Sequence, residues 1–170
     1  MQNEDVKLKD ILAISGKPGL YKFLSQGRNS IIVESFTDSK RISVQSTTKV
    51  SALEDIAIYT ETEEVPLKEV FKTMLKFFEG KQTISHKSPP EDLKDVFSDI
   101  LPEYDKDRVY VSDIKKVINW YNMLCELDLF SIGILDDEEP EETESEEVTK
   151  EDDSKSDQPA PDETETENKE

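Results

Sequence analysis

Acid–base and nucleophilic chemistry has few residues to draw on in this chain of 170 residues, which holds one histidine (His86) and one cysteine (Cys125). A nucleophile needs an adjacent base, and general acid–base work needs titratable groups held together in a cleft. His86 lies among Ser85, Lys87 and Ser88, which predicts a solvated linker histidine. Cys125 falls on the apolar stripe of a predicted helix and is expected to be a small core residue, not a reactive thiol. Glu69, Asp92, Asp95 and Asp99 recur at helical surface spacing, the pattern of a solvated face. One cysteine and one histidine cannot assemble a zinc set. The expectation is a non-enzymatic protein with no catalytic residue, no metal and no cofactor.

Two segments resemble binding motifs and fail on their details. Ser15-Gly16-Lys17-Pro18-Gly19 invites comparison with a phosphate-cradling loop. Such a loop needs two glycines with four residues between them, then Lys and Ser or Thr, at the start of a helix. Here the spacing differs, Pro18 removes an N–H, and a strand is expected next, so the segment is a turn. Residues 105–116 look like an EF-hand loop with Asp105, Asp107 and Asp113 at positions one, three and nine. Tyr110 stands where the turn glycine belongs, however, and Lys116 where the bidentate glutamate belongs. An ammonium group replaces the strongest ligand, and calcium is rejected.

The elements that position these residues fall into three segments. Residues 8–60 are expected to be β-rich. Lys17-Pro18-Gly19-Leu20 has the proline and glycine of a type II turn. Strands are predicted over 19–26, 30–36, 41–45 and 56–60, from alternation and β-branched residues such as Ile31, Ile32 and Val33. Ser51 with Glu54 three residues later suggests a capped helical turn. Short strands joined by tight turns point to a small SH3-like β-barrel.

The second segment is helical. Leu67, Val70, Phe71, Met74, Leu75 and Phe78 form one apolar stripe, with Pro66 before it and Gly80 after it. Leu93, Val96, Phe97, Ile100 and Leu101 form a second stripe, stopped by Pro102. After a brief extended run at 108–111, Ser112 is expected to cap a third helix with Ile114, Val117, Ile118, Tyr121, Leu124 and Cys125 inward. Three such stripes can close a core. The organisation is thus α+β, with a small β-rich SH3-like domain over 1–61, a three-helix domain over 62–135 and an acidic tail over 136–170.

The net charge is −19, and it is concentrated: residues 136–170 hold 18 acidic residues and three lysines. That tail has almost no apolar side chains and is expected to be disordered. It either solubilises, covers a basic face in cis, or recruits a basic partner. Residues 1–52 carry eight bases and five acids, whereas 53–135 carry ten bases and 17 acids. Small barrels bind single strands by setting rings among cations. Lys22, Arg28, Lys40 and Arg41 around Tyr21, Phe23 and Phe36 are the candidate nucleic-acid face. A helix-turn-helix reading would use Lys115, Lys116, Asn119 and Asn122. Trp120 and Met123, beside the third stripe, are either an exposed patch for a partner protein or a contact with the barrel. The polar start of the chain is unlike a signal peptide, and no run reaches the roughly 18–20 apolar residues of a membrane span.

Three blocks resemble a family: Leu8-Lys9-Asp10-Ile11-Leu12-Ala13-Ile14-Ser15-Gly16-Lys17-Pro18-Gly19-Leu20-Tyr21; Lys49-Val50-Ser51-Ala52-Leu53-Glu54-Asp55-Ile56-Ala57-Ile58-Tyr59-Thr60; and Val111-Ser112-Asp113-Ile114-Lys115-Lys116 with Trp120-Tyr121. Across residues 8–127 the chain resembles a domain-of-unknown-function family of small Bacteroidetes-type bacterial proteins. The resemblance implies a cytoplasmic, non-secreted protein with a small N-terminal domain and a helical one after it, and brings no catalytic residues. The expected function is a cytoplasmic adaptor acting through contacts with a partner protein. The alternative is a nucleic-acid or ribosome-associated module using the barrel.

Overall fold

Gly19 takes φ +87°, a conformation open to glycine and costly to most other residues, and so turns the first strand back on the second. In the computed structural model, which describes residues 6–136, these are β1 (Ile11–Ile14) and β2 (Tyr21–Gln26). β3 (Ser30–Ser35), β4 (Arg41–Gln45) and β5 (Val50–Ala52) complete one antiparallel sheet in the order β4-β3-β2-β1-β5. Leu24 breaks the expected alternation of β2, because the register with β3 shifts between Phe23 and Ser25 and leaves Leu24 as a bulge.

The sheet stays open and does not close into the SH3-like barrel expected from the sequence. β4 and β5 are its two edges, and no ladder joins them. The reason lies at Leu53, fully buried in the 3₁₀ turn Leu53–Asp55. Anchored in the core shared with the helices, it carries the chain away from the sheet. β6 (Ala57–Tyr59), counted as a barrel strand from the sequence, pairs instead with β7 (Glu64–Pro66). The capped turn expected from Ser51 is also displaced. Ser51 lies in β5 opposite Ala13, and the turn begins after Ala52 with no side-chain cap.

Period-two alternation splits the sheet residues between two cores. Leu12, Ile14, Tyr21, Val33 and Val44 form a small cluster of their own. Ile11, Leu20, Leu53 and Ile58 join the larger core with the helices. Those helices are α1 (Leu67–Phe77), α2 (Pro90–Ile100) and α3 (Val111–Glu126). Each buries the stripe read from the sequence: Leu67, Val70, Phe71 and Met74 in α1; Leu93, Phe97 and Ile100 in α2; Ile114, Val117, Ile118, Tyr121 and Leu124 in α3. Gly80 at φ +74° follows the end of α1 as expected.

The start of α3 differs from expectation. Its N-cap is Tyr110, not Ser112, and the Tyr110 N–H donates to the Asp113 carboxylate at 3.2 Å. Of the extended run expected at 108–111 only Tyr110 (φ −84°, ψ 159°) is extended. Val111 already belongs to α3, and Arg108 lies in a turn because Asp105 Oδ1 accepts the N–H groups of both Asp107 (2.9 Å) and Arg108 (3.1 Å). Residues 6–136 fall within one compact unit, and Ile58 and Leu67, on either side of position 61, share one core. The tail expected to be disordered lies, from residue 137 onward, outside the described residues. No helix among the described residues is long and apolar enough to cross a membrane.

Candidate functional site

The Gly16–Gly19 turn, β6 and the first half of α3 enclose a groove of about 630 Å³, within the range of ligand sites. Ile14, Ile56, Ile58, Val109, Val117 and Trp120 supply its apolar surface. Its charged side chains are Lys17, Lys49, Arg108, Lys115 and Lys116 against a single acid, Asp113. In a chain of net charge −19, five cations around one concavity stand against the background. Lys17, Lys49 and Lys115 come from the turn, the loop before β5 and α3, and make no ion pair among the described residues.

Arg108 is fixed in place. Its Nε donates to Asp105 Oδ2 at 2.7 Å, its Nη2 donates to the Thr60 carbonyl at 3.2 Å, and its guanidinium lies 4.4 Å from the Tyr59 ring centroid. The Arg108 hydrogen bond, followed by the Asp107 N–H, holds the Asp105 carboxyl below its usual range. Lys116 reaches Asp113 at 3.4 Å. The groove keeps a positive balance after both pairings.

His86 is not the isolated linker residue expected from its neighbours; it is half-buried and lines this groove. Its position is set by α3. Asn122 Oδ1 accepts the Thr83 N–H at 2.9 Å, and its Nδ2 donates to the Ile84 carbonyl at 2.9 Å. Tyr121 OH donates to the Lys81 carbonyl at 3.0 Å. No periodicity in residues 81–88 signals this docking, so sequence reading missed it.

The candidate nucleic-acid face is partly neutralised. Lys22 and Arg41 both stand opposite Glu34 in the sheet register, and Arg41 Nε meets the Glu34 carboxylate at 2.8 Å. Lys40 meets Asp38 at 2.9 Å, and the hydrogen bond from Lys40 is the first cause of an Asp38 pKa of about 2. Arg28 is exposed in the β2–β3 turn, at the far end of the strands from Lys40. The four do not meet at one cavity.

Trp120 and Met123 do not make an exposed patch; both are half-buried and pack against the larger core. Trp120 also lines the groove, and Met123 approaches the Gly19 turn. The helix-turn-helix reading loses Asn122, which is bound to the linker. Among the described residues no group of three or more His, Cys, Asp or Glu side chains is placed to hold a metal.

Cys125 is half-buried, and burial raises its thiol pKa. Alkylation by iodoacetamide at neutral pH is therefore expected to run slower than for a free cysteine, and to accelerate in urea. Alkylation at the rate of a model thiol would show that the side chain is free in solution.

The family described as Domain of unknown function (DUF5606) matches residues 8–53, and that described as Domain of unknown function (DUF6852) matches residues 56–124. A solution NMR structure of a structural-genomics target from Bacteroides vulgatus is similar, with 46% sequence identity and a TM-score of 0.61. The match covers 72% of this chain and 88% of that one. No curated protein matches the chain.

Proposed function

The chain belongs to the domain-of-unknown-function family of Bacteroidetes-type proteins represented by that Bacteroides vulgatus structure, and from that premise we propose a non-enzymatic cytoplasmic adaptor that holds an anionic segment of a partner protein in its groove. The observation that carries this reading is the groove itself, where five cations face one carboxylate around an apolar surface that includes Trp120. Apolar surface gives affinity to an anchoring side chain, and unpaired lysines favour acidic residues on either side of it. The SH3-like assignment belongs to this reading in an open form. The strand order β4-β3-β2-β1-β5 supports it.

Trp120 is the single tryptophan of the chain and reports on the groove directly. Titration of the full chain at low salt with a short acidic peptide is expected to change its fluorescence, and added salt to weaken the effect. The double substitution Lys49→Glu with Lys115→Glu, which breaks no native ion pair, is expected to reduce affinity roughly tenfold. A response to single-stranded oligonucleotide but not to peptide overturns the adaptor reading in favour of the nucleic-acid module.

A further inference from the structure

One wall of the groove is backbone. In the β6–β7 ladder the Thr60 N–H bonds to the Glu63 carbonyl, and the Leu67 N–H to the Ile56 carbonyl. Hydrogen-bonding pairs alternate along an antiparallel ladder, so Ile58 faces Val65 with its backbone groups, while Ala57 and Tyr59 direct theirs away from β7. On that outer side the Tyr59 carbonyl accepts the Asp105 N–H at 2.9 Å. The Ala57 N–H, the Ala57 carbonyl and the Tyr59 N–H have no partner among the described residues. No residue of β7 lines the groove, whereas Arg108 and Val109, from the loop bonded to the outer side of Tyr59, do. The antiparallel bridge between Thr60 and Tyr104 closes the Thr60 end of this edge, and the Ala57 end opens on the groove.

Resting on the binding reading above, we propose that the groove takes an extended peptide segment, alternating acidic and apolar residues, which adds to β6 as a further strand. Strand addition supplies main-chain hydrogen bonds, and pockets for alternate side chains supply selectivity. The added strand lies about 4.8 Å from β6. Its apolar side chains meet Ile56, Val109, Val117 and Trp120, while its carboxylates meet Lys17, Lys49 and Lys115. A nucleic-acid strand has no ladder of N–H and C=O groups to match this edge, which favours a peptide over it.

The edge also explains a local risk that the fold contains. An unpaired strand edge is a template for other chains unless it is short, charged or covered. β6 has three residues, and Arg108 and Asp105 cover its far end, which restricts pairing to a guest that fits between the cations.

The probe is a short capped peptide of glutamates with valine at alternate central positions, added to the full chain at low salt. Binding is expected to shift the amide signals of Ala57 and Tyr59 and to slow their hydrogen exchange. N-methylation of every second amide of the peptide, in the register that faces β6, is expected to weaken binding at least tenfold, while the other register has little effect. Ala57→Pro removes one edge N–H that no native bond uses, after Ile56 already extended at ψ 134°, and is expected to weaken binding as strongly with its circular dichroism intact. If both N-methylated peptides bind like the parent, the groove acts by charge and apolar contact alone; strand addition is then overturned and the adaptor reading stands. If no peptide binds, both are overturned, whether or not an oligonucleotide does.

Discussion

Phe71→Ala is expected to lower the unfolding free energy by about 3–5 kcal/mol, the range for removing a buried ring from a core that relaxes only in part. Phe71 is fully buried in α1. Its ring centroid lies 6.4 Å from that of Tyr121 and 6.0 Å from that of Phe130, and the Tyr121 and Phe130 rings lie 5.5 Å apart. The three rings join α1, α3 and the turn Phe130–Ile132, so the cavity left by alanine has rigid walls on several sides. Such a loss lowers Tm by roughly 10 °C or more in a unit of this size. The control is Phe77→Ala, one turn and a half further on the same helix. Phe77 is 53% exposed and stacks edge-on against Phe78, and its loss is expected to cost about 1 kcal/mol or less. Equal midpoints for the two variants in a urea melt would show that the ring cluster contributes no more than a surface contact.

The helices were legible because their signal is local. Leu67, Val70, Phe71 and Met74 recur at the helical period, and nothing distant changes which side is apolar. The sheet was legible strand by strand but not in its closure. β2, β3 and β4 stand within two residues of expectation at each end, since their alternation and turns lie within the chain segment itself. β1, β5 and β7 passed unnoticed because each is only three or four residues long, too short for alternation to show. Whether β6 joins the sheet or leaves it depends on Leu53 finding room among the helices, and that is a property of residues far along the chain. The candidate site followed the same division. Lys115, Lys116 and Trp120 drew attention through their helix, whereas Lys17, Lys49, Arg108 and His86 converge only after folding. Lys22, Lys40 and Arg41 were read as a basic face because the sequence does not print the register that puts Glu34 between Lys22 and Arg41.

Asn122→Ala is expected to release the wall of the groove that His86 occupies. The substitution leaves the Thr83 N–H and the Ile84 carbonyl without their side-chain partner, and an unsatisfied polar group in a partly buried site costs about 1–3 kcal/mol. The Thr83 side chain offers no replacement hold, since its buried hydroxyl has no hydrogen-bond partner. The Tyr121 phenol, whose pKa burial raises, still donates to the Lys81 carbonyl, so the linker is loosened beyond that point and not detached from α3. The direct readout is hydrogen exchange at Thr83, which should accelerate in proportion to the lost stability, together with a weaker response of Trp120 to the acidic peptide. Asn122→Asp keeps an acceptor for Thr83 and loses the donor for Ile84, so its exchange rate should fall between those of the native chain and the alanine variant. Unchanged exchange at Thr83 in the alanine variant would assign the hold to other contacts and remove Asn122 from the groove's support. Accelerated exchange with unchanged peptide affinity would instead show that the segment carrying His86 contributes nothing to binding, leaving β6, α3 and the lysine rim as the working surfaces.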